Sequence, residues 1–279
     1  LTVTDESVAR NRLRLLPPIR RARGWRLYAE DGRRFIDFWM DGGRSLLGAK
    51  GRGIGTAAKA AVDTGLTRPF PSIREARLAK NVLARYPDYA AVRFYRDEAR
   101  ALAAAAARTP TLSALRVVRP FEEHFLAPMF IAADGRSVDI PAEAMLGVAM
   151  LLLPCPAAFS PAVLLFKDAG AAQAASDDLV PPLALACAHR ALFELDRFAV
   201  DYSEAFWKKT DRRLRPYFDR RGPFLYPHAD AGTKDYDRLF KAALGAGVLL
   251  SPYAELPSII PGDFDDGELA LLAKALEGP

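Results

Sequence analysis

Two cysteines and three histidines among 279 residues leave little material for a metal centre. Cys155 and Cys187 lie in separate apolar runs, and no Cys-x-x-Cys occurs. His124, His189 and His228 stand at no ligand spacing with either thiol, so no metal is expected. The thiols read as small buried hydrophobes rather than as a disulfide pair. Long unbroken apolar runs are also missing. The longest, at 144–166, is interrupted by Pro154, Pro156 and Pro161, which remove amide donors and stop a helix, so it does not suit a membrane span. There is no dense basic stripe. Lysine plus arginine number 39 against 34 acidic residues, a net charge of +5, and clusters such as Arg20-Arg21 and Arg212-Arg213 are short. That pattern reads as a solvated charged surface and not as a nucleic-acid site. The glycines at 48–55 are followed by no Gly-Lys-Ser/Thr, and Ser160 and Ser251 lack a nucleophile-elbow context. No leader-like segment opens the sequence, and a cytoplasmic protein is expected.

What is present is the composition of a globular protein, 51% hydrophobic and 26% charged, with enough chain for a sizeable core. Residues 4–16 have helical spacing and stop at Pro17-Pro18. Between Gly24 and Phe38, two alternating apolar runs flank Asp31-Gly32, a pair that adopts positive φ cheaply and therefore signals a β-hairpin. Helices are expected at 56–65 and 72–86, the second opened by a Ser72 N-cap. A strand at 91–95 and an alanine-rich helix at 97–108 follow. Apolar runs at 147–153 and 162–166 suit a buried sheet, and 183–198 has helical period. The tail combines short strands with helices at 236–246 and 266–276. Alternation of strands and helices predicts an α/β fold with a mainly parallel sheet. Three regions are expected: 1–50 with the hairpin, a reduced α/β large domain at 51–195, and an α+β portion at 196–279.

Three stretches resemble the class III pyridoxal-phosphate (PLP) aminotransferases, the glutamate-1-semialdehyde aminomutase branch in particular. The first is Gly24, Leu27-Tyr28, Asp31-Gly32, Phe35-Ile36-Asp37-Phe38, Gly43 and Leu47-Gly48, followed by the strand Val92-Arg93-Phe94. The second is Pro182-Leu183-Ala184 through Ala191-Leu192. The third is Tyr236–Leu239, Gly247-Val248, Ser251-Pro252 and the acid-capped helix at 265–276. The resemblance implies a fold-type-I PLP-transferase fold. It also implies a small domain made from both chain ends and a homodimer with sites at the interface.

It further implies where a cofactor would sit. PLP needs a lysine for a Schiff base, a carboxylate at the pyridine nitrogen, and amides and hydroxyls around the phosphate. The family's phosphate loop reads Ser-Gly-Thr-Glu-Ala at a helix N-terminus, where free amides favour an anion. Here the sequence is Arg96-Asp97-Glu98-Ala99. These residues hold the loop's position without its glycine, and Asp97 opposes a phosphate. The simpler use of Asp97 is to cap the helix. The threonine that a partner subunit supplies in the family corresponds to Asp177, next to Asp178. The strand expected to carry the pyridine carboxylate ends at Pro154, and neither Asp139 nor Glu143 is a preferred substitute. Glu122-Glu123-His124 does not reproduce the ring-stacking motif. Lys167, after the apolar run 163–166, is the candidate Schiff-base lysine. The expectation is an aminotransferase-like protein without normal PLP binding, kept as a binding or scaffolding protein. The alternatives are a working PLP-dependent aminotransferase or aminomutase built on Lys167 with a rebuilt phosphate site, or a pocket for a small acidic metabolite at Arg93 or Arg96.

Overall fold

A computed structural model describes residues 3–49, 51, 53–108, 115–118, 129–131, 137–138, 147–195, 204–228, 233–261 and 264–278. Glu122, Glu123, His124, Asp139 and Glu143 lie outside the described residues. In chain order the elements begin with helix α1 (Val3–Leu13) and strands β1 (Ile19–Arg23), β2 (Arg26–Ala29) and β3 (Arg34–Asp37). Then come α2 (Ile54–Asp63), α3 (Ile73–Arg85), β4 (Ala91–Tyr95), α4 (Glu98–Arg108), β5 (Leu115–Val118), β6 (Met129–Ile131) and β7 (Ser137–Val138). They are followed by β8 (Val148–Leu151), β9 (Ala162–Phe166), α5 (Ala169–Ala174), α6 (Pro182–Leu195) and α7 (Glu204–Leu214). The chain closes with β10 (Phe218–Arg221), β11 (Phe224–Pro227), α8 (Thr233–Gly245), β12 (Val248–Leu249), β13 (Ser258–Ile259) and α9 (Asp266–Glu277). These elements form two compact units, one from Gly51–Arg197 and one from Val3–Lys50 joined by Phe198–Pro279.

The first unit is built on a six-stranded sheet in the order β4-β9-β8-β5-β6-β7. Strand β9 lies between β4 and β8, and all five of its residues are buried. Helices cover it because its sequence, Ala-Val-Leu-Leu-Phe, offers no polar face. Helix α4 lays the small side chains of Ala101 and Ala105 against Tyr95, Leu164 and Phe166. Alanine lets a helix approach a sheet closely and carries the highest helix propensity. The expected α/β architecture holds, but the strand directions differ from the expectation of a mainly parallel sheet. Only β5 and β8 run parallel among the described pairs of this sheet; β4–β9, β8–β9, β5–β6 and β6–β7 are antiparallel. The reason is connection length. A parallel return needs a crossover of roughly a dozen residues or more, and the proline-interrupted link at 152–161 is too short to make one. Hence β9 folds straight back beside β8.

The second unit carries a four-stranded sheet, β1-β2-β3-β12, and a three-stranded sheet, β10-β11-β13. Strands β2 and β3 form the hairpin around Asp31-Gly32, with Gly32 at φ +87° and the Ala29 amide donating to the Arg33 carbonyl. A second, tighter hairpin joins β1 to β2 through Gly24-Trp25. Strand β12 adds to β3 in parallel, so the two chain ends share one sheet. Phe38, Phe240, Leu250, Leu269 and Leu272 fill the core beneath it, and Phe38 meets Phe264 edge-on at 4.9 Å. Asp265 caps α9 in a reciprocal capping box with Glu268. No helix of the described residues is long and apolar enough to cross a membrane.

Candidate functional site

Strand β4 ends at Tyr95 and delivers Arg96, Asp97 and Glu98 to the start of α4. The carboxylate of Asp97 accepts the Arg100 amide at 2.8 Å, so it caps the helix. Glu98 lies in the exposed first turn, where an acidic side chain complements the helix dipole. These residues consume one of the free amides on which an anion site depends.

A second carboxylate, that of Asp178, comes to the same helix end from the segment before α6. It accepts the Arg96 amide at 3.1 Å and both Nε and an Nη of Arg100, at 2.5 and 2.6 Å. This is a bidentate, charge-assisted contact. The hydrogen bonds from Arg100 hold the Asp178 carboxyl below its ordinary pKa, with the Arg96 amide adding to the effect. Asp178 is nearly buried, with 7% of its side chain exposed, while Arg100 remains half in solvent.

Further contacts fasten the segment around Asp178. Its amide donates to the Phe94 carbonyl at 3.0 Å, and the Tyr95 hydroxyl donates to the Ser176 carbonyl at 2.7 Å. Arg93 pairs with Asp177 at 3.0 Å and donates to the Ala172 carbonyl at 2.8 Å, and Arg96 reaches the Leu179 carbonyl at 3.4 Å. Burial and the nearby Asp177 raise the pKa of Glu75 beside this group, against the pull of Arg93.

The anion held at the N-terminus of α4 is already present in the chain, as Asp178. A phosphate brought there would have to displace that carboxylate or lie against it. The amide of Arg96 and the guanidiniums of Arg93, Arg96 and Arg100 all have partners within the protein. This donor set does not fit a phosphate.

Lys167 stands elsewhere. Strands β4 and β9 are antiparallel, with Ala91 opposite Phe166 and Tyr95 opposite Ala162. Lys167 follows Phe166 and its amide donates to the Gly147 carbonyl, so it lies at the end of the sheet where β4 begins. Arg96 follows the other end. Six positions along a strand separate the two levels, roughly 20 Å at ~3.3 Å per residue. The structure therefore brings Arg96, Asp97 and Glu98 together and does not bring Lys167 to them. The residue after Lys167, Asp168, caps α5 by accepting the Ala171 amide at 2.8 Å.

The other singled-out residues have structural partners. His189 is half-buried and meets Asn81 at 2.9 Å. Burial and the neighbouring Arg77, Arg74 and Arg190 lower its pKa. Both cysteines are buried and neither is in a disulfide, and burial pushes the Cys187 thiol up to about 11. Among the described residues no group of three or more His, Cys, Asp or Glu side chains could hold a metal.

Sequence reasoning did not give Asp178 and Arg100 their roles. The signal was present: two adjacent acids before the Pro182 helix, and arginines at 93, 96 and 100 around the turn from β4 into α4. Asp37, named from the sequence only as part of the Phe35–Phe38 strand, accepts the Met40 amide through its carboxylate at 2.8 Å. Met40 and Asp41 have φ of +48° and +50°, and Gly42 and Gly43 continue this left-handed run.

No family model matches the chain. An uncharacterized protein of Treponema pallidum is 27% identical over 293 residues, covering 87% of this chain and 88% of that protein. One from Borreliella burgdorferi is 24% identical and covers 91% of this chain. A glutamate-1-semialdehyde 2,1-aminomutase of Nitratidesulfovibrio vulgaris is 34% identical over 137 residues, which is 49% of this chain and 30% of that enzyme. Among solved structures, an omega-transaminase from Sphaerobacter thermophilus superposes with a TM-score of 0.65 at 14% identity, covering 98% of this chain and 97% of that one. A glutamate-1-semialdehyde aminomutase from Pseudomonas aeruginosa PAO1 gives a TM-score of 0.60 at 12% identity, over 98% and 93% of the two chains. The chain has the α/β fold of the PLP-dependent aminotransferases.

Proposed function

We propose that this protein is a shortened, degenerate class III aminotransferase that no longer binds PLP in the normal way or transaminates. It retains the fold, as a homodimer, for binding or scaffolding. The observation that carries this reading is the Asp178 carboxylate on the Arg96 amide and the Arg100 guanidinium, where the family resemblance locates the cofactor phosphate. Phosphate supplies much of the anchoring of such a cofactor, and a fixed carboxylate at a helix N-terminus takes up the same donors. The distance between Lys167 and this helix end supports the reading independently. The partial matches to aminomutases support the ancestry. Arg93 and Arg96 are engaged within the chain, which argues against an acidic metabolite held by them.

The test is spectroscopic. Purified protein is incubated with excess PLP, desalted and scanned for the visible Schiff-base band, with Lys167→Ala in parallel and the solution mass measured. The expected result is no retained band in either protein and the mass of a dimer. A retained band that disappears in Lys167→Ala, together with amino-group transfer, would establish a working aminotransferase or aminomutase instead.

A further inference from the structure

The four-stranded sheet of the second unit ends on β1, which among the described residues pairs along one edge only, with β2. The other edge presents backbone N–H and C=O groups, a template for a further strand. The sequence along it is Ile19-Arg20-Arg21-Ala22-Arg23, exposed at every position except the half-buried Ala22. Among the described residues no carboxylate pairs with Arg20, Arg21 or Arg23.

The register fixes which side chains share a face. Arg21, Tyr28 and Arg34 form one cross-strand row, and Arg23, Arg26 and Ile36 form the next. Four arginines therefore stand on one face, and Arg23 lies directly opposite Arg26, a like-charge pair that costs a sheet stability. Among the described residues, the carboxylate that reaches this group is Glu268, at 3.1 Å from Arg26 and 3.4 Å from Arg34. Arg21 lies 4.3 Å over the Tyr28 ring, which orients it on the sheet. Arg21 and Arg23, about 7 Å apart along the strand, have no carboxylate partner among the described residues.

We propose that β1 is the docking strand for an acidic, extended polypeptide segment. The segment adds to the free edge backbone to backbone and sets alternate carboxylates against Arg21 and Arg23. Its chemistry follows from two features that coincide. The edge asks for peptide donors and acceptors, and the face asks for negative charge at every second residue. A second copy of β1 would set arginine against arginine. Nucleic acid or anionic lipid would meet the charge but leave the backbone edge unused, and Tyr28 is covered by Arg21 and so offers no stacking platform.

The test uses the full chain and fluorescence anisotropy of a labelled synthetic peptide that alternates glutamate and valine. Saturable binding is expected. It should weaken at least tenfold in Arg21→Glu/Arg23→Glu, and at least tenfold when two valines of the peptide are replaced by proline at unchanged charge. The charge-neutral variant Arg21→Gln/Arg23→Gln should show the same loss with unaltered circular dichroism, which separates lost binding from lost folding. Equal affinity for the proline peptide would overturn strand addition. So would tighter binding of oligouridylate or of phosphatidylserine vesicles, or no saturable binding of the peptide.

Discussion

Asp37 offers a test of the second unit that depends on a single proton. Its carboxylate closes β3 by accepting the Met40 amide, and burial raises its pKa from 3.8 to about 6. The Met40 and Trp39 amides and the nearby Asp41 modify this to a smaller degree. At 1.36 kcal/mol per pKa unit, ionising Asp37 in the fold costs about 3 kcal/mol more than in the unfolded chain. That figure is an upper bound, because the side chain keeps some exposed surface; about 1–3 kcal/mol is the working range. The sign follows from proton uptake. Below pH 3.8 both states hold the proton and there is no penalty. Between 3.8 and about 6 the unfolded chain ionises first, so the contribution of Asp37 to stability falls as pH rises, and above 6 the loss is complete. Asp37→Asn keeps an acceptor for the Met40 amide and cannot ionise. Urea unfolding of both proteins at pH 4.5 and 7.5 should show the variant gaining up to about 2 kcal/mol on the parent between the two values, since about a third of the loss has already occurred by pH 4.5. A stability difference that is independent of pH, or one that shrinks as pH rises, would refute the reasoning.

Other consequences follow from single contacts. Asp97→Ala removes the cap of α4 and should cost about 1 kcal/mol in urea unfolding. Leu165→Ala opens a cavity under a side chain that is fully buried in β9, and should cost about 2–5 kcal/mol by the same measurement. Gly53→Ala should destabilise the first unit. Gly53 has φ +77°, and an added Cβ would fall 2.3 Å from Nε of Arg190, so a lowered melting temperature is expected.

Much of the fold was legible because its signals are local. Asp31-Gly32 specifies its hairpin, Ser72 its cap, and the five apolar residues of β9 a strand buried on both faces. Strand direction was not legible in the same way. It depends on whether the link between β8 and β9 is long enough for a crossover, and alternation of elements carries no information about that. The site was legible by position and not by partner. Arg96, Asp97 and Glu98 could be placed at a helix N-terminus from sequence, and Asp97 could be read as its cap. That Asp178 would take the Arg96 amide and the Arg100 guanidinium needed the antiparallel pairing and the path of the segment before α6. The same pairing places Lys167 at the far end of the sheet, a separation that the spacing of residues along the chain does not reveal.

The central claim is that the chain supplies its own anion to the start of α4. The most direct measurement is calorimetric titration of inorganic phosphate into the parent protein and into Asp178→Ala, with circular dichroism to confirm that both are folded. With Asp178 removed, the Arg96 amide and the Arg100 guanidinium lose their carboxylate. The account predicts no saturable phosphate binding by the parent and a gain of at least about tenfold in the variant, the equivalent of ~1.4 kcal/mol of anion stabilisation at a helix N-terminus. Saturable binding by the parent that Asp178→Ala leaves unchanged would contradict it.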